Sequence, residues 1–206
     1  MAVLRDLLFH HRNGGDFVFI MKKIILASGS PRRRELLKDI GLEFEIYKPD
    51  VDESKLENEL PQDLCLRLSR LKAKSGAEKF PGSIIIAADT IVVIDKKILG
   101  KPHDREDAFR MLKTLQGREH EVITGVSVAL NEKIFSHAEH TTVKFISMTD
   151  DEIREYVSTG ECDDKAGAYA IQGKGATLIE GINGDYFNVV GLPLCSLTKI
   201  LKNFND

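Results

Sequence analysis

A short apolar strand, Ile24-Ile25-Leu26, runs into the small-residue turn Ala27-Ser28-Gly29-Ser30 and then into Pro31-Arg32-Arg33-Arg34-Glu35-Leu36-Leu37. This strand–turn–helix unit commits the chain to β and α elements packed in succession. Ser30 suits the N-cap, and Pro31 suits the first helical position, where its missing N–H leaves no gap. The free N–H groups of a first helical turn carry partial positive charge, and Arg32 and Arg33 add full charges beside them. The residues therefore describe an anion site, most naturally one for phosphate. The plainer reading is a capped surface helix, and both readings stand on this stretch alone.

Composition limits the alternatives. A chain of 206 residues, 42% hydrophobic and 30% charged, can bury the core of one globular domain. The formal net charge of −3 gives no bulk attraction for nucleic acid, so a site for an anion must be locally basic. No apolar run is long enough to span a membrane. Cys65, Cys162 and Cys195 are odd in number and widely spaced, which argues against a disulfide framework or a zinc site and for a reducing cytoplasm. Near the N-terminus, Leu7-Leu8-Phe9 is too short for a signal peptide and follows the charged Asp6. Met21-Lys22-Lys23 directly precedes the first convincing strand, so residues 1–20 read as a peripheral extension and 21–206 as a single domain of two lobes.

The pattern beyond the first helix alternates between the two periods. Gly41 should stop that helix, and Phe44 to Tyr47 alternates like a strand. Pro61 opens a long helix with Leu64, Leu68 and Leu71 on one face. Ile84 to Ala88 reads as a buried strand, and a second apolar run, Ile91 to Ile94, meets a turn at Asp95-Lys96-Lys97. Asp104 caps a helix ending near Gly117, with Ala108, Met111, Leu112 and Leu115 inside. Val122 to Leu130 and Ile134 to Ile146 pair around Asn131-Glu132-Lys133, and Thr149-Asp150-Asp151-Glu152 is a capping box for a helix closed by Gly160. After the Gly-rich stretch Asp163 to Gly175, two more strands and a helix begun at Pro193 complete the chain. Hairpins among alternating strands and helices predict an α/β fold on a mixed sheet, not a purely parallel one.

Several residues could carry chemistry. Asp89-Thr90 splits an otherwise apolar stretch, and a carboxylate there costs several kcal/mol, on the order of a buried charge, unless it is paired, metal-bound or solvated. It is either a catalytic or metal-binding acid at the edge of a cleft or simply a strand end. Asp50, Asp52 and Glu53 form an acidic cluster that would ordinarily be a solvated loop. Beside a phosphate it gains meaning, because Mg²⁺ takes one or two carboxylates and completes its shell with phosphate oxygens and water. Lys101 stands between Gly100 and Pro102, and Lys72 and Lys74 lie on the long helix; in isolation a loop lysine and a solvated face describe them. In the segment Asp164 to Gly173, Gln172 offers both a donor and an acceptor, which suits reading a base edge. The histidines show no ligand spacing, and there is neither a Ser/His/Asp arrangement nor a Walker-type loop.

Ser28-Gly29-Ser30-Pro31-Arg32-Arg33, Ala88-Asp89-Thr90, Gly100-Lys101-Pro102 and Asp164-Lys165-Ala166-Gly167-Ala168-Tyr169-Ala170-Ile171-Gln172-Gly173 together resemble the Maf family of nucleoside triphosphate pyrophosphatases. The four motifs occur in family order, and the resemblance runs from about Lys22 to Phe204. It implies an elongated mixed sheet flanked by helices, with a cleft between two lobes, similar to the inosine triphosphate pyrophosphatases. It further implies hydrolysis of a nucleoside triphosphate to monophosphate and pyrophosphate with Mg²⁺ or Mn²⁺, often as a homodimer, with no nucleic-acid or membrane partner. Carried over residue by residue, Asp89 is the proton acceptor and, with Asp52, a metal ligand. Ser28, Arg32, Arg33, Lys72 and Lys101 meet the phosphates. The trio Arg32, Thr90 and Gln172 resembles the branch preferring dTTP and UTP. The alternative carried by the same resemblance is a nucleotide-binding regulator of septum formation in which hydrolysis is incidental.

Overall fold

Strand β5 (Ile84–Ile94) organises the molecule. The sequence suggests two apolar runs broken at Asp89, but the structure has one strand of eleven residues in which only Asp89 and Thr90 are partly exposed. The reason lies in its edge pairing. On one side β5 pairs with β3 (Ile24–Ala27) only through Ile86, and with the short β6 (Lys97–Leu99) only from Val92. Residues between these two partners lack a neighbour strand on that edge, while β7 (Glu119–Leu130) continues unbroken along the other. The polar pair falls in this gap, so the strand carries its carboxylate without closing it into the sheet.

The computed structural model describes residues 22–204, together with a two-residue antiparallel pair, β1 (Arg12–Asn13) and β2 (Asp16–Phe17). The rest of the stretch read as a peripheral extension lies outside the described residues. The main sheet has seven strands in the order β4 (Glu45–Tyr47), β3, β5, β7, β8 (Lys133–Phe145), β9 (Ile179–Asn183), with β6 on β5. Strands β4, β3 and β5 run parallel and every other pairing is antiparallel, giving the expected mixed sheet.

The two faces of β5 follow the period of two. Ile85 and Ala87 pack with Ala73 and Ala77 of helix α2 (Pro61–Lys79), and farther along Ile91 and Val93 pack with its Leu64, Cys65 and Leu68. Asp89 shares that face. On the other face, Ile84, Ile86 and Ala88 meet α1 (Pro31–Asp39) and α6 (Leu194–Lys202) in one cluster. Val92 and Ile94 meet α3 (Arg105–Leu115) and α4 (Asp150–Ser158) in another. Thr90 stands between those two clusters. Helix α2 lies so close to the sheet that a Cβ on Gly125 of β7 would come within 2.4 Å of the Cys65 carbonyl oxygen.

Some local expectations are met and others corrected. Asp104 accepts from Asp107 N at 2.7 Å at the start of α3, and both halves of the Thr149–Glu152 capping box are formed. On α2 the buried face runs through Leu64, Leu68, Lys72 and Ala73, while Leu71 is 36% exposed. The helical repeat brings residue 72, not 71, back beneath Leu68. Only one of the two strands expected after the Gly-rich stretch forms: Tyr186–Val190 is a short helix, α5, capped by Asp185 and ended at Gly191 with φ 117°. Ser30 holds the N-cap of α1, but its side chain makes no cap hydrogen bond. Among the described residues no helix is long and apolar enough to cross a membrane.

Candidate active site

Where the parallel strands end, the chain opens a cavity of about 610 Å³. This is the expected place for a ligand in an α/β sheet, outside the carboxyl ends of parallel strands. Its size falls within the range of small-molecule sites. Ala27 of β3 lies opposite Tyr47 of β4, so the next residues, Ser28 and Lys48, emerge side by side on the cavity wall. The loop Ser28–Arg33, Asp89 and Thr90, Lys101 after β6, and Gln172 complete much of the lining. Six cationic side chains (Arg32, Arg33, Lys48, Lys72, Lys101, Lys165) and three carboxylates (Glu53, Asp89, Asp164) face it. The local balance is basic although the whole chain is acidic.

Arg33 sits at the centre, half-buried, held by three neutral oxygens. Its Nε donates to Gly191 O at 2.8 Å, Nη1 to Ser28 Oγ at 3.1 Å and Nη2 to Thr90 Oγ1 at 3.0 Å. Burial lowers its pKa, and the charge of nearby Asp89 opposes that shift. A guanidinium stays charged regardless, so the wall carries a cation with no carboxylate in contact with it, a standing attraction for an anion.

The hydroxyl of Ser28 is equally constrained. Its Oγ accepts from Arg33 Nη1 and, at 3.2 Å, from Ser30 N. A hydroxyl has two lone pairs and one proton, so both acceptor positions are filled. Among the described residues no hydrogen bond takes its proton, and the side chain lines the cavity. Ser28 is therefore a donor waiting for an acceptor oxygen. The first turn of α1 lines the same cavity, and no Ser30 side-chain bond caps its amides.

Opposite lies an ionic group. Lys72 Nζ, on the buried face of α2, is 2.6 Å from Asp89 Oδ1 and 2.8 Å from Glu53 Oε1. The Lys72 and Asp89 side chains are 10% and 14% exposed, so their charges are compensated by each other. Asp89 Oδ2 has no hydrogen-bond partner among the described residues and is left for a ligand or water. The structure does not bring Asp52 into this group. Asp52 is exposed, accepts from Ser54 N at 2.9 Å, and is held below the usual carboxylate range by its hydrogen bonds with Ser54. Its neighbour Glu53 lines the cavity instead.

The remaining expected residues also reach the cavity. Arg32 is half-buried, with Nη1 4.0 Å from Asp164 Oδ1; burial lowers its pKa and the charge of Glu35 opposes this. Lys101 is exposed at the lip. Gln172 stands at the N-cap of the 3₁₀ turn Gly173–Leu178, and that turn is held by Glu161, which accepts from Lys174 N at 3.1 Å and Gly175 N at 3.3 Å. Sequence reasoning misses Lys48 and Lys165 as cations of the cavity wall. A signal for Lys48 exists: it is the first residue after a strand that runs parallel to the one ending at Ser28. Lys165 is signalled by its place in the Gln172 segment.

Mg²⁺ or Mn²⁺ would fit this donor set in one way. Asp89 and Glu53 supply two hard oxygen donors that already share one cation, Lys72, and the rest of a shell would have to come from a ligand's oxygens and water. Among the described residues no cluster of three or more His, Cys, Asp or Glu side chains could hold a metal by itself.

Fold and site thus define an α/β protein with a cleft at the carboxyl ends of its parallel strands, lined by more cationic than acidic side chains. The family described as Maf-like protein matches residues 23–204, and the chain belongs to it. It is 47% identical over 184 residues to a dTTP/UTP pyrophosphatase of Symbiobacterium thermophilum, covering 89% of this chain and 95% of that one. It is 50% identical over 182 residues to a dTTP/UTP pyrophosphatase of Pyrococcus furiosus, covering 88% and 95%. Among solved structures, the Staphylococcus aureus Ham1 protein superposes with a TM-score of 0.45 at 15% identity, over 60% of this chain and 72% of that chain. That likeness is partial, and the fold assignment rests on the strand order itself.

Proposed function

We propose that this protein hydrolyses nucleoside triphosphates, dTTP and UTP foremost, to the monophosphate and pyrophosphate. The observation that carries the reading is the opposition across one cavity of two groups: Arg33 and the donor hydroxyl of Ser28 on one wall, and Asp89 with a free carboxylate oxygen on the other. Relatives about half identical over nearly their whole length bear the name of that activity. They also disfavour the regulator alternative, since simple nucleotide binding gives Asp89 no task.

The chain's own residues suffice to assign the steps. Arg33, Ser28 and the first-turn amides of α1 hold the triphosphate, with Lys48 and Lys101 screening its charge at the lip. Lys72 fixes Asp89 through Oδ1, so Oδ2 can accept the proton of a water aimed at the α-phosphorus. The new P–O bond forms as the bond to the β-phosphate oxygen breaks, and pyrophosphate leaves with the electron pair. A divalent cation held by Asp89 and Glu53 would supply charge neutralisation on phosphate oxygens. Arg32, Thr90 and Gln172 are the proposed readers of the base. The proposed compartment is the cytoplasm, consistent with three free cysteines.

General-base assistance supplies about 10²–10⁴-fold. Asp89→Asn should therefore lose at least about 10²-fold in kcat while still binding dTTP, measured by pyrophosphate release and calorimetry. Near-wild-type turnover in that variant removes Asp89 from the reaction. Orthophosphate in place of pyrophosphate as the first product rules out attack at the α-phosphorus.

A further inference from the structure

A line of buried hydroxyls runs from the cavity into the sheet and has no part in the hydrolytic steps. Thr90 Oγ1 lies 2.9 Å from Thr124 Oγ1, and Thr124 Oγ1 lies 3.0 Å from Asn188 O. Asn188 in turn donates through Nδ2 to Val122 O at 3.0 Å and to Thr141 Oγ1 at 2.9 Å. Thr124, Thr141 and Asn188 are all fully buried.

The direction of every proton in the first part of this line can be worked out. A carbonyl oxygen only accepts, so the single proton of Thr124 goes to Asn188 O. Thr124 must then accept from Thr90, because no other proton is available for their contact. A guanidinium only donates, so Thr90 also accepts from Arg33 Nη2. The proton of Thr90 is thus drawn inward, and its oxygen is left to hold Arg33. Were Thr124 unable to accept, the Thr90 hydroxyl would be free to rotate and turn its proton toward the guanidinium.

We propose that Thr124 is a positioning residue: its hydroxyl, anchored on Asn188 O, fixes Thr90 as an acceptor and so locks the Arg33 guanidinium in its phosphate-facing pose. A consequence is that any ligand atom meeting Thr90 must be a donor, whereas one meeting Ser28 must be an acceptor. Stability and positioning both draw on this hydroxyl, and they separate in their kinetic readouts. Thr124 shares its face of β7 with Val122 and Val126, and a valine would fill the same volume. Valine would leave Asn188 O without the Thr124 donor, a destabilisation that lowers the folded fraction and leaves KM to report on Arg33.

The inference rests on the hydrolase reading for its kinetic arm only. Thr124→Val and Thr124→Ser are compared with wild type in dTTP hydrolysis, together with exchange of the Arg33 Nε–H with solvent by NMR in the nucleotide-free protein. Thr124→Val is expected to raise KM about tenfold, the loss of roughly one well-placed hydrogen bond, with kcat within about threefold. Its Arg33 Nε–H should exchange faster, and Thr124→Ser should restore both. A purely structural defect would instead lower kcat through loss of folded enzyme and leave KM unchanged. Wild-type KM and wild-type exchange in Thr124→Val overturn the proposal, as does a defect that Thr124→Ser fails to rescue. Should the wild type hydrolyse no nucleotide, the hydrolase reading falls, and the exchange arm still decides the role of Thr124.

Discussion

Lys72 shows how much depends on a single side chain. It forms ion pairs with both Asp89 and Glu53, and it is 8% exposed. Lys72→Met keeps the stem that packs on the sheet and removes the charge, leaving two carboxylates facing each other. Removing one partner of a buried ion pair is strongly destabilising, and in this cavity, open on one side, we expect a loss of about 2 kcal/mol by urea denaturation. Activity should fall at least about tenfold, because Asp89 loses the contact that sets its orientation. Lys72→Arg should recover much of the stability and less of the activity, since a fork cannot replace a point donor at both oxygens. At this scale the sequence is informative about types and less so about positions. Asp89 stands out because a carboxylate in an apolar run needs a reason. Glu53 and Asp52 are adjacent carboxylates in one loop, and nothing in their order says which turns inward. Thr124 sits in an apolar strand as an ordinary β-branched residue, and its partner Asn188 is sixty-four residues away.

At the scale of elements, the contact between α2 and the sheet controls the site, since it sets the distance from Lys72 to Asp89. That contact depends on Gly125. A methyl group there would meet backbone atoms, Cys65 O at 2.4 Å and Leu66 N at 2.9 Å, and no side chain can move aside to make room. Gly125→Ala should therefore push α2 off β7. Overpacking of this kind costs about 1–3 kcal/mol, and the displaced Lys72 should add a loss of turnover to it. Gly76→Ala probes the same contact from the helix side: its Cβ would come within 2.6 Å of Cγ2 of Ile85, a fully buried β-branched side chain with little room to turn, so thermal melting should show a stability loss of similar size, about 1–3 kcal/mol. Helices with explicit ends are legible from sequence, because Asp104, the Thr149–Glu152 box and the glycines at 41 and 160 act through nearest neighbours. The continuity of β5 is not legible, because the partners that leave its centre open are set by chain segments far from it. The short helix α5 reads as a strand in the sequence for the same reason: Tyr186-Phe187-Asn188-Val189-Val190 is β-prone in composition, and the Asp185 cap with tertiary packing of Asn188 overrides that preference.

For the whole molecule, acid should act through one buried imidazole. His120 is 4% exposed, shares a 2.7 Å hydrogen bond between Nε2 and the Tyr169 hydroxyl, and packs edge-on against the rings of Phe145 and Tyr169. Burial pushes its pKa down to about 4, against about 6.5 for a free imidazole. Between those values the unfolded chain takes up a proton that the native state refuses. Stability therefore falls as pH drops from 6.5 toward 4, by on the order of 3 kcal/mol in all. Glu59 behaves differently. Its hydrogen bond to Arg67 lowers its pKa to about 2, so its contribution is complete above about 4.5 and is lost only below that. Comparing wild type with His120→Gln by urea unfolding between about pH 7.5 and 4.5 thus isolates this histidine, because the carboxylate contacts of His137 and His140 are common to both proteins. The wild-type midpoint should decline through this window, and His120→Gln should lower the midpoint yet flatten the decline; an equal slope in the variant would locate the titrating group elsewhere. The effect should also reach function before global unfolding. Tyr169 lines the cavity three residues from Gln172, so a protonated His120 disturbs the segment proposed to read the base. Activity on dTTP should then fall on the acid side at a pH where the far-ultraviolet spectrum is still native, and His120→Gln should remove that early loss.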